Sequence, residues 1–571
     1  MRDAFRYFSA LFRGGLAPFL RQSSDPTLGD VLIRRASTAP AALALEVSGQ
    51  KLSYRELLDV SQAAAGCLRA LGASPGDVVA LVGKNSIAYV AALLGGALSG
   101  ITLALVHPEL AGEPLRQALT AANARFVLCE HELVAGLDDA AAGLPLASFD
   151  PESRTPFAEA VPMPIAAVAE RRSRDFALVY TSGTTGLPKA CRLPHSRVLS
   201  AACLFGAPLF DFAAGDKLLC ALPLHHASPL MLGLGTCLVT GTPLILQRRF
   251  SASDFMSLAA STGATALLYV GDLGRMLLAT PPSPADRAHG LRVAVGNGMA
   301  QDVWQPFQER FGIDNVREFY AATESPVGIF NLSGRVGSVG NLPYAWMFGL
   351  KLARLDDNGE LLRDARNRLL ECNVDEPGEL LVRARRSGIG VYHGYVDQMA
   401  SEARLVRDAF QPGDALFRTF DVLRRDAEGF YYFVERSGDS YRFRGENVSA
   451  LQVERELLAT PGVLDAVATG VEVGGYDGRA GLAVLVTEPG FDVSRLERLS
   501  KSLPRSAVPR FVRFVPELLR TASLKVRRRA WSQQGVDPAR VADELWVLDE
   551  SRYRRLDDAA YRDIASGKLR L

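Results

Sequence analysis

Between about residues 176 and 345 short apolar runs alternate with amphipathic ones, a pattern that few architectures satisfy. FALVY, KLLCALPL, TPLILQ, ATALLYV, RVAVGNG and VREFYAATE each have the length of one buried strand. A helix-like segment from Ser196, a Gly-rich helix, ASDFMSLAAS and DVWQPFQERFG lie between them. Parallel strands need a crossover connection, and an amphipathic helix laid on the sheet supplies both the crossover and the cover for its apolar face. The pattern therefore predicts an α/β fold, a large N-terminal domain of helix-covered β-sheets with parallel strands. Near Glu435 the texture changes: SALQVERELLA reads as a helix opened by Ser449, followed by the apolar runs DAVATGVEV and AGLAVLV. A chain of 571 residues exceeds what one hydrophobic core usually serves. Residues 27–435 are expected to form the large domain and 436–571 a small α+β C-terminal domain, with 1–26 as a separate basic amphipathic segment.

Hydrophobic residues make up 48% and charged residues 22%, the balance of an ordinary globular chain. A formal net charge of +1 argues against a nucleic-acid surface held by bulk charge. The seven cysteines, at 67, 129, 191, 203, 220, 237 and 372, form no Cys-x-x-Cys pair and have no clustered histidine partners, so neither a zinc site nor a disulfide framework is expected. That usage fits a reducing, cytoplasmic compartment. Asn85 to His107 and Leu218 to Gln247 lack Asp, Glu, Lys and Arg and have the length of membrane spans. Gly95, Gly96 and Gly100 interrupt the first, and Pro223, Pro229 and Pro243 the second, so helix, turn and buried strand account for both better. The N-terminus mixes Phe5, Phe8, Leu11 and Phe12 with Arg2, Arg6, Arg13 and Arg21. This suits peripheral contact of residues 1–21 with the inner face of a membrane, and equally a helix docked on the protein's own surface.

Directly after FALV comes YTSGTTGLPK, Tyr180 to Lys189. Gly183 and Gly186 allow a tight turn and bring backbone amides close to an anion. The hydroxyls of Thr181, Ser182, Thr184 and Thr185 add donors and Lys189 adds a compact cation, a set that suits a polyphosphate. In parallel sheets such turns sit at the carboxyl ends of strands. The common ATPase loop is a different string, Gly-x-x-x-x-Gly-Lys-Ser/Thr, and here the lysine is followed by alanine.

The string resembles the phosphate-binding loop of the adenylate-forming superfamily, which holds acyl-CoA synthetases, luciferases and adenylation domains. LALVHPELAGEPLRQAL from Leu103, FSASDF from Phe250, VGNGM from Val295, EFYAATE from Glu318, SGDSYRFRGENVS from Ser437 and the terminal SGKLRL look like its fatty acid transport protein and very-long-chain acyl-CoA synthetase branch. The likeness covers nearly the whole chain after about residue 27. It implies ATP, Mg2+ and coenzyme A, a mobile C-terminal domain, and an active site in the cleft between the domains. The nucleotide would lie on Tyr180, Thr181, Ser182, Gly183, Thr184, Thr185, Gly186 and Lys189, with Gly296, Asn297, Gly298, Glu318, Phe319 and Tyr320 around the adenine. Thr323 would donate to the α-phosphate, and Glu324 would hold magnesium, a hard cation that takes oxygen ligands. Asp421 would accept the ribose hydroxyls, with Arg436 as a ribose or phosphate partner. Lys525, in RTASLKVRRR, would bridge the acyl carboxylate and the α-phosphate during adenylation. A turn about Gly438 and Asp439 would then bring Arg444, Gly445, Glu446 and Asn447 to the CoA thiol. His226 matches the family's Pro-Leu-aromatic-His segment, with His225 in the aromatic slot. Both, with Tyr269 and Gly271, would line an apolar acyl pocket.

Two positions depart from the pattern. The usual Thr-Gly-Asp reads Thr419-Phe420-Asp421, and phenylalanine is expected not to adopt the backbone freedom of glycine. Ala321 stands where the closest branch has glycine. The reading that follows is a ligase that makes acyl-AMP and then acyl-CoA from a long or very long fatty acid. A ligase for a sterol-type or polycyclic acid, or one loading a carrier protein, would use the same residue types. A non-catalytic lipid-binding or uptake protein with a degenerate nucleotide site is the rival from another class.

Overall fold

The computed structural model describes residues 26–137, 140–141, 143–163, 175–182, 188–342, 349–356, 359–387, 390–436, 441–443, 446–473, 479–503, 505–520 and 526–566. The amphipathic segment 1–25, the turn 183–187, Gly438 and Asp439, Arg444 and Gly445, and Lys525 lie outside the described residues, as do the side chains of Ser182, Arg436, Glu446 and Asn447. The chain packs as two compact units. One comprises the residues up to Leu350 with Val382–Arg407 and Gly413–Phe417; the other comprises Lys351–Leu381, Asp408–Pro412 and the chain from Arg418 onward.

Among its described residues the first unit carries two large sheets. The six-stranded sheet runs in the order Leu146–Phe149, Phe126–Glu130, Val78–Val82, Thr102–Val106, Asp175–Ser182, Pro188–Pro194, and all its pairings are parallel except the last. The eight-stranded sheet has a parallel core of Asn315–Tyr320, Val293–Asn297, Ala266–Val270, Leu218–Cys220, Leu244–Leu246 and Leu43–Val47, with an antiparallel strand at each edge. The α/β architecture with parallel strands expected from the alternation is therefore present, but the alternation is divided. FALVY belongs to the six-stranded sheet, and the remaining runs belong to the other. Hydrophobic period marks a buried strand and does not name its neighbour, so the division is invisible in the pattern.

Both charge-free stretches resolve into ordinary core elements. In the first, the Ser86 hydroxyl accepts the Tyr89 N–H at 3.0 Å and opens helix Ile87–Ser99, which ends at Gly100 with φ 73°. Every residue of that helix is buried, and so is every residue of the following strand Thr102–Val106. A helix covered on all sides has no need of a polar face, which explains the apolar run. The second contains strand Leu218–Cys220, a π-helical turn Pro229–Gly235, helix Thr236–Thr240 and strand Leu244–Leu246. Among the described residues no helix is long and apolar enough to cross a membrane.

In the second unit, Tyr431–Arg436 pairs antiparallel with the end of strand Ala415–Arg425, which places Asp421 opposite Arg436. Further along the chain, a five-stranded mixed sheet is formed by Val463–Val471, Ala480–Thr487, Phe511–Phe514, Glu544–Asp549 and Arg552–Arg555. Helix Ala450–Leu458 begins at Ser449, whose hydroxyl accepts the Gln452 N–H, as the sequence indicated. Val453 and Leu457 from this helix share one core with Leu482, Val484, Phe511 and Trp531. The α+β character expected of the C-terminal region is thus present, with an independent hydrophobic core.

Candidate active site

In the eight-stranded sheet the strands ending at Val270, Asn297 and Tyr320 are neighbours in parallel register, so their carboxyl ends gather Gly271, Asn297, Gly298 and Tyr320 on one edge. Two glycines there are required by close approach. A Cβ on Gly271 would lie 1.7 Å from the Gly298 carbonyl oxygen, and one on Gly296 would lie 2.5 Å from the Tyr269 ring. Beneath this edge Glu318 accepts the Met299 N–H at 2.6 Å and the Tyr269 hydroxyl at 3.0 Å. Oε1 of the candidate nucleotide residue Glu318 thus holds the Gly298–Met299 turn, and the candidate acyl residue Tyr269 is buried with its hydroxyl on the same oxygen. Phe319 is buried and Tyr320 half-buried at the strand end.

Burial pushes the Glu318 carboxyl up to about 8, against the opposing effect of its hydrogen bonds from Met299 and Tyr269. A raised carboxyl pKa means that the folded chain keeps a proton the unfolded chain has released. The contribution is present below the ordinary glutamate value and is lost as pH rises through about 8. Glu318→Gln, which keeps the shape without the charge, should therefore gain melting temperature relative to wild type progressively from about pH 5 to pH 8. A difference between the two that stays flat over that range, measured by thermal melts in matched buffers, would contradict this assignment.

In the other sheet, Asp175–Ser182 and Pro188–Pro194 form an antiparallel pair with Thr181 opposite Lys189. The Thr181 hydroxyl is buried and has no hydrogen-bond partner among the described residues. Tyr180 donates its hydroxyl to the Ala118 carbonyl at 2.7 Å. The Lys189 ammonium lies 5.8 Å from the centre of the Tyr395 ring, and the Tyr395 hydroxyl donates to Glu324 Oε1 at 2.8 Å. Arg404 Nη2 donates to the same oxygen at 2.6 Å. Burial alone would raise the Glu324 carboxyl, but the Arg404 charge and the Tyr395 hydroxyl outweigh it and hold it below the usual carboxylate range. A second arginine, half-buried Arg197, donates to the carbonyls of Thr323 and, at 2.6 Å, Ser325. Its guanidinium fixes the backbone on both sides of Glu324.

Thr323, Glu324 and Lys189 are thus brought together as the sequence suggested, while Tyr395, Arg404 and Arg197 were missed. Nothing local distinguishes ASEARLVRD or PHSRVL from other arginine-bearing stretches, and only the fold brings them to the glutamate. The carboxylate of Glu324 and the unsatisfied hydroxyl of Thr181 are oxygen donors of the kind a hard divalent cation takes, so the residues present fit magnesium.

In the second unit Phe420 corrects an expectation. Its φ is +59°, the left-handed conformation that glycine adopts freely, so the phenylalanine does take up the backbone geometry. The Phe420 N–H donates to Glu379 at 3.2 Å, and its ring stacks with the Arg418 guanidinium 4.5 Å from the ring centre. Arg418 in turn forms a two-pronged ion pair with the buried Glu379. Thr419 donates its hydroxyl to the Leu380 carbonyl at 2.7 Å and accepts the Asp421 N–H at 3.1 Å. Left-handed strain of roughly 1–3 kcal/mol is offset by these partners. Replacing Phe420 with glycine relieves the strain but loses the stack and adds chain entropy of about 0.5–1 kcal/mol. Phe420→Gly should accordingly leave unfolding free energy within about 1 kcal/mol of wild type and ATP affinity within about threefold. ATP binding about tenfold tighter in the variant would show instead that the ring obstructs the nucleotide.

His225 and His226 lie after strand Leu218–Cys220 on a segment fixed by buried Asn85. That amide donates to the carbonyls of Leu222 at 3.0 Å and Gln247 at 2.8 Å and accepts the Leu224 N–H at 2.9 Å. With all these bonds made, Asn85 ties the loop before the histidines to the end of the neighbouring sheet.

The chain matches the family described as AMP-binding enzyme over residues 32–396. It is 34% identical to long-chain fatty acid transport protein 1 of Homo sapiens, with 100% of this chain and 92% of that one covered. It is 35% identical to the medium/long-chain-fatty-acid–CoA ligase FadD6 of Mycobacterium tuberculosis, over 94% of this chain and 91% of that one. The fold is also that of ATP-bound MatB from Rhodopseudomonas palustris, with a TM-score of 0.74 at 24% identity, covering 89% of this chain and 99% of that one. The chain belongs to the AMP-binding, adenylate-forming enzyme family.

Proposed function

We propose that this protein is an AMP-forming acyl-CoA synthetase that activates a long or very long fatty acid. The observation that carries the reading is the cluster of Glu324, Tyr395, Arg404 and Lys189 beside a hairpin whose buried Thr181 hydroxyl has no partner among the described residues. Its 35% identity to a fatty-acid–CoA ligase supports the choice of acid and of coenzyme A as acceptor.

In the first half-reaction a carboxylate oxygen of the acid attacks the α-phosphorus of ATP, and pyrophosphate leaves with its electron pair. Two anions must meet, so the barrier is chiefly electrostatic. On this reading Lys189 and the hairpin hydroxyls would hold the phosphates, Thr323 would donate to the α-phosphate, and Lys525 would bridge carboxylate and phosphate. Magnesium, when bound, neutralises phosphate charge, and Glu324 is the carboxylate that would hold it. Asp421 orients the ribose from a backbone that keeps the geometry of glycine despite Phe420. In the second half-reaction the CoA sulfur attacks the acyl carbonyl, its proton is lost, and AMP leaves.

The retained left-handed backbone at Phe420 disfavours the non-catalytic rival, because the departure that motivated it leaves the local geometry intact. Acid-dependent exchange of pyrophosphate into ATP tests the first half-reaction. Exchange that appears with fatty acids and is absent without acid supports the reading, and ATP binding without exchange for any acid would overturn it.

A further inference from the structure

His225 is buried, only 5% exposed, yet among the described residues its Nε2 has no hydrogen-bond partner. Its ring lies between two others, His107 edge-on at 4.8 Å and His226 tilted at 4.4 Å. A neutral imidazole carries one donor and one acceptor, and a buried polar atom left unpaired costs about 1–3 kcal/mol. A phenyl ring would fill such a slot without that cost, so packing alone does not account for histidine. Burial and the two neighbouring rings hold His225 neutral by moving its pKa well below the usual histidine value. Burial also lowers His107, whose Nδ1 accepts the Glu109 N–H at 3.1 Å and thereby fixes its tautomer.

The cluster stands where the two sheets of the first unit meet. His107 follows strand Thr102–Val106, which pairs directly with the hairpin strand Asp175–Ser182, Leu105 opposite Val179. His225 follows the central strand Leu218–Cys220 and precedes the π-helical turn Pro229–Gly235, in which Leu230, Leu232 and Leu234 are buried. Such turns, rare in helices, are frequent at functional sites. A polar atom is therefore placed between the phosphate-binding hairpin and an apolar segment of the kind that accommodates an acyl chain.

We propose that the His107–His225–His226 cluster is a polar subsite, with His225 Nε2 its contact atom, for a hydroxyl or keto oxygen carried on the acyl chain of the acid. The enzyme then selects an oxygenated acid over the plain acid of equal length. This rests on the acyl-CoA synthetase reading above.

The test compares kcat/KM for thioester formation with plain acids and with hydroxy acids of matched length, the hydroxyl scanned along the chain. At least one position should favour the hydroxy acid by about tenfold or more, the value of one net hydrogen bond. His225→Phe should reduce that ratio to within about threefold of unity, while His225→Gln, which keeps a donor and an acceptor, should retain most of it. Melting temperatures establish that each variant is folded, and if His225→Phe is not, the wild-type ratio and the His225→Gln ratio decide. Wild type without preference at any position, or His225→Phe with the preference intact, would overturn the subsite and leave the ligase standing. No thioester or AMP from any acid would overturn the ligase reading and the subsite with it.

Discussion

Lys525→Ala should lower acyl-adenylate formation by at least about a hundredfold to a thousandfold, the range seen when one preorganised electrostatic group is removed from a charged transition state. The carboxylate and the α-phosphate repel as they approach, and a compact ammonium on a flexible stem can contact both. Its role is confined to that step, so thioester formation from synthetic acyl-adenylate and CoA should survive largely intact. The two half-reactions are measured separately, by pyrophosphate exchange and by mass spectrometry of the thioester. Equal loss of both would assign Lys525 to the fold or to a shared binding step instead. Arg527, Arg528 and Arg529 follow in the same run, and Arg528 shows what a structural cation looks like there: it pairs with Glu454 at 2.7 Å and donates to the Ala468 carbonyl.

Glu324→Gln should have two effects that separate structure from chemistry. The carboxylate is buried with Arg404, and removing one charge of a buried pair leaves the other uncompensated, a loss of about 3–5 kcal/mol in unfolding free energy. Denaturant titration reads that loss directly. The variant should also bind manganese, as a magnesium substitute in the presence of ATP, at least about tenfold more weakly, because an amide oxygen is a poorer ligand for a hard cation than a carboxylate. Unchanged manganese affinity in a destabilised variant would make Glu324 an ion-pair partner only. Arg404 and Tyr395 both donate to Oε1, so the variant removes the charge they share.

Much of this architecture could be read from residues before any coordinates. Period marked the strands, Gly100 marked the end of an apolar helix, and Ser449 marked the start of the helix Ala450–Leu458. Three things could not be read. Which sheet each strand joins depends on pairing, which hydrophobic period does not encode. The arginines that hold Glu324 and its backbone come from positions 197 and 404, far from it in sequence, and neither lies in a motif. Phe420 was misjudged because a rule about intrinsic preference was applied without its neighbours: Glu379 and Arg418 hold the left-handed backbone in place. Tertiary context outweighs local propensity most where a site requires an unusual conformation.

The most direct test of the central claim is to incubate the purified protein with ATP, magnesium, CoA and a panel of fatty, hydroxy-fatty, sterol-type and aromatic acids, and to detect thioester and AMP by mass spectrometry. The expected result is acyl-CoA and AMP in equal amounts from long-chain fatty acids, plain or hydroxylated, and neither product when the acid is left out. Folded protein that forms neither product with any acid on the panel would contradict the account.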